Sequence, residues 1–302
     1  MGAVCAMNTK MHADEADIDD ALVRALVARQ FPEWASLPVR RLESSGTENA
    51  MFRLGTELVV RLPRHPGAVD DVRREGRLLS RLGPLLPVPT PEPVGRGEPG
   101  AGFPWPWSVY RWLAGRNPVA GAVPQAKRLA EDLGRFVAAL RGVHAADGPP
   151  GSRGVPLAAR DAPTRSAIAR LTGRTDTAGV TALWEEALRA PEYTGPPVWA
   201  HGDLSPGNVL VDGGRLSAVI DFGVAGVGDP AVDLIIAWNL LPAEARETFR
   251  DTVGADDAEW ARGRGWALSV ALIQLPYYWE TNPPLAENSR HVIGELLAEA
   301  SR

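Results

Sequence analysis

The sequence predicts an α+β fold in two lobes: a small N-terminal antiparallel sheet carrying a helix, and a mostly helical C-terminal part. Three observations carry that prediction. Between Val39 and Leu62 apolar residues recur with period two, in short runs separated by turn residues. From Pro124 onward the period is helical, in segments long enough to build a second lobe. Within those helices, Val198 to Phe222 (VWAHGDLSPGNVLVDGGRLSAVIDF) returns to short strands around a polar loop, with Gly213-Gly214 turning a hairpin.

Taken in order, residues 17–30 place Ile18, Leu22 and Leu26 at helical spacing with acids near the start, an amphipathic scaffold helix. Residues 39–45, 50–54 and 58–62 read as strands, the third carrying Arg61. Residues 69–82 read as a helix whose apolar positions are Val72, Leu78, Leu79 and Leu82, with Glu75 among them. On the residues alone, Glu75 reads as one more member of a solvated face with Arg73, Arg74 and Arg77.

Pro87, Pro89, Pro91 and Pro93 alternate in a stretch that favours extended segments and turns, and residues 107–113 then read as a strand. In Tyr110 and Trp112 core packing is the favoured role. Residues 124–146 predict a long helix with Leu129, Leu133, Phe136, Val137, Leu140 and Val143 on one side; His144, at the end of that stripe, reads as structural. A loop follows at 148–154, and residues 162–190 hold one or two helices with an interruption near 173–179. Asp229 before Pro230 is a helix start, the carboxylate capping free N–H groups. The remainder predicts helices at 231–241, 243–253, 256–280 with a break at Pro276, and 285–300.

Composition narrows the function. The chain has 302 residues, is 45% hydrophobic and carries a formal charge of −5, with an isoelectric point near 5.6. That balance argues against nucleic-acid or anionic-membrane partners, which need a basic face, and suits a cationic ligand. The single cysteine, Cys5, excludes an internal disulfide and fits a reducing cytoplasm. The first residues lack a secretory pattern, Met11 reads as the natural start, and no apolar run reaches membrane-spanning length.

Asp203, Asn208 and Asp221 stand at strand ends. As ordinary turn and cap residues they would mean nothing further; with His201, the two acids could also ligate a hydrolytic metal, although no second His or Cys cluster accompanies them. Their order and spacing fit a third chemistry. In phosphoryl transfer one carboxylate orients the acceptor hydroxyl while an amide oxygen and a second carboxylate hold Mg²⁺ on the phosphates. HGDLSPGN and IDFG resemble the signature of the aminoglycoside phosphotransferase family, small-molecule kinases with the protein-kinase fold. Gly202, where protein kinases have Arg, points to that branch.

The resemblance implies a bilobal protein-kinase-like fold, with residues 1–112 a nucleotide-binding lobe and 113–302 a catalytic and substrate-binding lobe. It makes Asp203 the residue that orients or deprotonates the acceptor, and Asn208 and Asp221 the Mg²⁺ ligands. Arg61, in the place of the usual Lys, would hold the phosphates with Glu75; Arg64 is a weaker candidate for the same task. Ser45, Gly46 and Thr47 become phosphate contacts through backbone N–H groups, residues 112–117 the hinge on the purine, and Asp233 a brace for the catalytic loop. The donor is ATP or GTP. The acceptor is a small-molecule hydroxyl, with a cationic aminoglycoside-type antibiotic first. A macrolide, a metabolic alcohol such as choline, homoserine or a sugar, and a nucleotide-binding pseudokinase suggested by Arg61 are the alternatives. Acids scattered through residues 251–295 are, in antibiotic kinases, the kind that line a pocket for amino sugars.

Overall fold

A computed structural model describes residues 15–42 and 48–301 of the chain. Cys5, Met11 and the loop candidates Ser45, Gly46 and Thr47 lie outside the described residues. Helix α1 (Asp20–Gln30) begins three residues later than its periodicity suggests, because the Asp19 carboxylate caps it by accepting the Leu22 N–H at 2.8 Å. Strands β1 (Val39–Arg41), β2 (Asn49–Leu54) and β3 (Leu58–Pro63) pair antiparallel in sequence. Helix α2 (Val69–Leu82) falls on the expected residues. The proline-rich stretch yields one short strand, β4 (Pro93–Gly97), which pairs with β5 (Trp107–Arg111). Among the described residues this sheet has five strands in the order β1-β2-β3-β5-β4.

Strand alternation sorts the central strands onto two faces. Leu58, Val60 and Leu62 of β3 and Trp107 and Val109 of β5 pack with Val23, Leu26 and Val27 of α1 in one apolar core. Val59, Arg61, Ser108 and Tyr110 therefore point to the opposite face, where Val59 and Tyr110 join the larger core of the helical part. One face of the sheet is glued to its own helix; the other looks onto the second lobe.

Helix α3 (Ala126–Arg141) buries Leu129, Leu133, Phe136, Val137 and Leu140 and stops at Gly142. It is shorter than expected, so His144 lies beyond it and is exposed, and not a structural residue beside an apolar stripe. Its backbone carbonyl does the anchoring, accepting from the Trp199 indole at 3.1 Å and from Arg81 at 3.0 Å. Helices α4 (Asp161–Arg170) and α5 (Thr177–Leu188) are separated where the glycine-containing interruption was expected. Four short strands follow: β6 (Val198–Ala200), β7 (Val209–Asp212), β8 (Arg215–Val219) and β9 (Gly226–Gly228). Strand β6 pairs with β9, and β7 with β8. Gly213 (φ 54°) and Gly214 (φ 78°) are both left-handed, the conformation a tight two-residue hairpin turn demands.

A 3-10 turn (Pro230–Ile235) leads into α6 (Ile236–Asn239), and α7 (Ala243–Val253), α8 (Asp257–Tyr278) and α9 (Pro283–Ala300) complete the chain. Asp229 starts the turn as expected, accepting the Ala231 N–H at 3.0 Å, and also forms a buried ion pair with Arg262 at 2.8 Å. The expected break at Pro276 is absent. Helix α8 continues through it to Tyr278. Proline removes one backbone donor there, but Leu272 and Leu275 remain buried in the core, and that packing outweighs the local loss. No described helix is long and apolar enough to cross a membrane.

Candidate active site

The loop from His201 to Asn208 leaves β6 and is held from behind. Asp233, buried beneath it, accepts the backbone N–H of His201 at 2.8 Å and of Gly202 at 2.7 Å, so the expected brace is present. Burial pushes the Asp233 carboxyl upward, against the pull of His201 and of these N–H donors. Gly202 adopts φ 80°, a left-handed conformation that favours glycine, so its place after His201 has a backbone reason. The His201 ring accepts the Asp203 N–H through Nδ1 at 3.2 Å, which leaves Nε2 to donate to the Ile220 carbonyl at 3.0 Å. Ile220 N–H in turn donates to the Asn208 carbonyl at 2.9 Å. Ile220 is thus the seam that sets Asp221 beside the loop bearing Asp203 and Asn208.

Both oxygens of Asp203 are engaged. Oδ2 accepts from Asn208 Nδ2 at 3.1 Å, and Asn208 Nδ2 also donates to the Asp203 carbonyl at 2.8 Å, which turns the Asn208 amide oxygen away from Asp203. Oδ1 accepts from Arg153, whose guanidinium also reaches the Gly202 carbonyl at 3.1 Å. Sequence reasoning placed Arg153 only in a loop, and nothing in its local pattern distinguishes it.

Arg61 lies on the cleft face of β3, 6% exposed, beside a Glu75 that is fully buried. Its guanidinium pairs with Glu75 Oε2 and, at 3.0 Å, with Asp221 Oδ1. Glu75 is therefore not on the solvated face of α2. Burial alone would lower the Arg61 pKa, but the charges of Glu75 and Asp221 reverse that and raise it. For Asp221, burial acts upward, and Arg61, His201 and the Gly223 N–H together hold the carboxylate below its ordinary range. Asp221 itself is left-handed at φ 64°, an uncommon conformation in a non-glycine residue. Two further groups complete this cluster. The Tyr110 hydroxyl donates to Glu75 Oε2 at 3.2 Å, and the Asn49 amide, oriented oxygen-inward, accepts from Arg61 Nε at 3.1 Å and Nη2 at 2.9 Å. Tyr110 thus does more than pack. Arg64, by contrast, pairs with Glu15 at 3.7 Å.

The segment after β5 is committed at both ends. Trp112 N–H donates to Glu57, Arg116 exchanges both backbone hydrogen bonds with Val211, and Asn117 Nδ2 reaches the Pro206, Gly207 and Val209 carbonyls. The connecting segment is thereby tied directly to the loop that bears Asp203 and Asn208. Trp112 is not core: it is 37% exposed, with Arg53 stacked 3.6 Å over its ring.

Several C-terminal acids tie helices together. Glu259 pairs with Arg141 at 2.5 Å, Glu295 and Glu299 bind Arg246 at 2.5 and 3.2 Å, and Asp257 meets Arg250. Asp256 caps α8 through the Glu259 N–H at 2.7 Å.

A family model described as the phosphotransferase enzyme family matches residues 39–266, a span that contains every group of this cluster. The chain belongs to that family. Among curated relatives, an aminoglycoside 3'-phosphotransferase from Escherichia coli is 37% identical over 62 residues, which is 20% of this chain and 23% of the relative. The chain thus matches under a quarter of that relative's length. Among solved structures, the GDP and kanamycin complex of the phosphotransferase APH(2")-IIIa superposes with a TM-score of 0.73 at 21% identity, covering 93% of this chain and 99% of that one. The apoenzyme of a macrolide 2'-phosphotransferase from Brachybacterium faecium gives 0.61 at 25% identity, covering 92% and 97%. The bilobal kinase-like fold of the family is therefore the fold of this chain.

Proposed function

We propose that the protein transfers the γ-phosphoryl group of ATP or GTP to a hydroxyl of a small molecule. The observation that carries this reading is the seam at Ile220, where backbone and His201 bonds hold Asp203 and Asn208 against the residue preceding Asp221. Asp203 accepts the hydroxyl's hydrogen bond and takes its proton as the new bond forms. Arg61, held by Glu75 and Asn49 and resting on Asp221, carries a fork-shaped cation that suits phosphate oxygens once Asp221 turns to a bound metal ion, which supports a nucleotide-binding role in place of Lys. Nucleotide gripping belongs to residues 1–112 and acceptor chemistry to 113–302, with a cytoplasmic setting where nucleoside triphosphates are present.

The donor set fits Mg²⁺. Asn208 and Asp221 offer hard oxygen ligands, and Mg²⁺ commonly uses one or two protein ligands and completes its shell with water and substrate phosphates. When bound, the ion would neutralise charge developing on the phosphates.

An aminoglycoside-type acceptor is the first choice, from the relatives' names; a macrolide is the second, favoured by the likeness to the macrolide 2'-phosphotransferase over nearly the whole chain. An acceptor panel incubated with Mg–ATP and Mg–GTP, read by mass for one added phosphoryl group, tests the reading. No product on any acceptor together with no nucleotide binding would end it.

A further inference from the structure

We propose that Arg153 is a second catalytic cation, which contacts the phosphoryl group in flight once the acceptor engages Asp203; this rests on the phosphotransferase reading above. Three observations lead to it. First, the loop that carries Arg153 is built for placement. Gly151 N–H donates to Val227, Val227 N–H to Pro149, and Asp229 N–H to the Gly154 carbonyl, at 3.1, 2.9 and 2.8 Å. The approach is too close for side chains: a β-carbon on Gly226 would come within 2.5 Å of Gly151 N, and one on Gly228 within 2.7 Å of the Gly154 carbonyl oxygen. The loop is therefore pinned to β9, the strand that follows the Asp221-Phe222-Gly223 segment.

Second, the guanidinium rests on Asp203 Oδ1 while Asn208 holds Oδ2. An acceptor hydroxyl needs an oxygen of that carboxylate, and the atom bonded to the hydroxyl oxygen during transfer is the γ-phosphorus. A cation displaced from Oδ1 is then one contact away from the phosphoryl oxygens. Third, Arg153 lies within the electrostatic reach of a second arginine. Arg160 is pulled below its ordinary pKa by burial and by the charge of Arg153. Its described polar partner is the neutral Ser269 hydroxyl, at 3.3 Å. When Asp203 turns to the acceptor, an anion beside Arg153 restores the balance.

In the step itself, the acceptor oxygen bonds to γ-phosphorus as the bond from γ-phosphorus to the β,γ-bridging oxygen breaks. The hydroxyl proton passes to Asp203, and the bridging oxygen leaves with its electron pair on the nucleoside diphosphate. Arg153 donates to the phosphoryl oxygens while charge spreads over them, the work of an arginine supplied in cis.

The test compares the affinity of the full chain, saturated with an acceptor that the panel above shows to be phosphorylated, for Mg–ADP and Mg–GDP with and without aluminium fluoride, a mimic of the phosphoryl group in flight, in wild type, Arg153→Ala and Arg153→Lys. Wild type should bind the fluoroaluminate complex more tightly than the diphosphate alone. Arg153→Ala should keep diphosphate affinity within about twofold and lose at least about tenfold of the tightening, with Arg153→Lys between them. Full tightening in Arg153→Ala, or equal loss of both ligands, overturns the assignment. Should the Ala variant not fold, Arg153→Lys decides, since it keeps the charge and loses the fork: wild-type tightening in Lys likewise overturns it. A wild type that binds both complexes equally overturns the Arg153 assignment, while the phosphotransferase reading stands or falls separately on the acceptor panel.

Discussion

Glu75 Oε1 accepts the backbone N–H of Phe222 at 2.8 Å, while its other oxygen takes Arg61 and the Tyr110 hydroxyl. One buried carboxylate therefore connects helix α2, strand β3, strand β5 and the segment that presents Asp221. A shift of α2 would move the Asp221 backbone and the Arg61 head together, so this residue couples fold to site.

Removing that carboxylate leaves Arg61 buried with one fewer counter-charge. Glu75→Ala should destabilise the protein by about 3–5 kcal/mol, the cost typical of breaking a buried ion pair from one side. Urea denaturation followed by tryptophan fluorescence measures it. A loss below about 1 kcal/mol would show the pair to be solvated after all.

Arg61→Lys exchanges a fork that spans Glu75, Asp221 and Asn49 for a single ammonium that cannot meet all three. The expected outcome is a folded protein with nucleotide KM raised about tenfold or more. Steady-state kinetics over nucleotide concentration checks this. Unchanged kinetics would mean that the fork geometry is dispensable.

Asp203→Asn keeps the shape of the loop and removes its proton acceptor. Transfer should fall about 10²–10⁴-fold, the range for a lost general base, with nucleotide affinity and thermal stability close to wild type. Turnover and nucleotide titration on the same preparation separate these quantities. Full activity in this variant would remove Asp203 from the chemistry.

Asp132 on α3 fastens the β7–β8 hairpin: it accepts from Arg215 at 2.6 and 2.7 Å, from the Leu216 N–H at 3.2 Å and from Arg135 at 2.6 Å. The Arg215 hydrogen bonds hold its carboxyl below the usual range, against burial. A carboxylate depressed by folding adds stability that is fully present above its unfolded pKa, near about 3.9, and lost as pH falls through the lower folded value. Asp132→Asn should cost about 1–3 kcal/mol at pH 7, and the gap to wild type should close as pH falls below about 4. Denaturation curves across that pH range read the gap; a constant difference refutes the linkage.

What was legible in the residues follows from period and from backbone demand. Alternation puts Arg61 on the face of β3 opposite the α1 core, and Asp229 before Pro230 has one favoured local use as a cap. The short phrases around Asp203, Asn208 and Asp221 marked them as candidates because the roles proposed for them would constrain both residue type and spacing. His144, Trp112 and Pro276 were misplaced by the same local rules. A helix can stop one turn early, an aromatic can find a cation in place of a core, and a proline can be overruled by packing.

The sequence alone determined most of the strands and helices and the two-lobed class, and it nominated Asp203, Asn208 and Asp221, because periodicity and motif spacing are written within a few residues along the chain; it missed strands β4 and β9 and read 231–241 as a single helix. Only the tertiary structure decided that Arg153 rests on Asp203, that Asn49 and Tyr110 hold the Arg61–Glu75 pair, and that many C-terminal acids are taken up by arginines on other helices. Those pairings join residues up to 118 positions apart in the cases of Arg141 with Glu259, and 50 for Arg153 with Asp203. Their partners are chosen by where packed elements come to rest, and no local pattern of residues encodes that meeting.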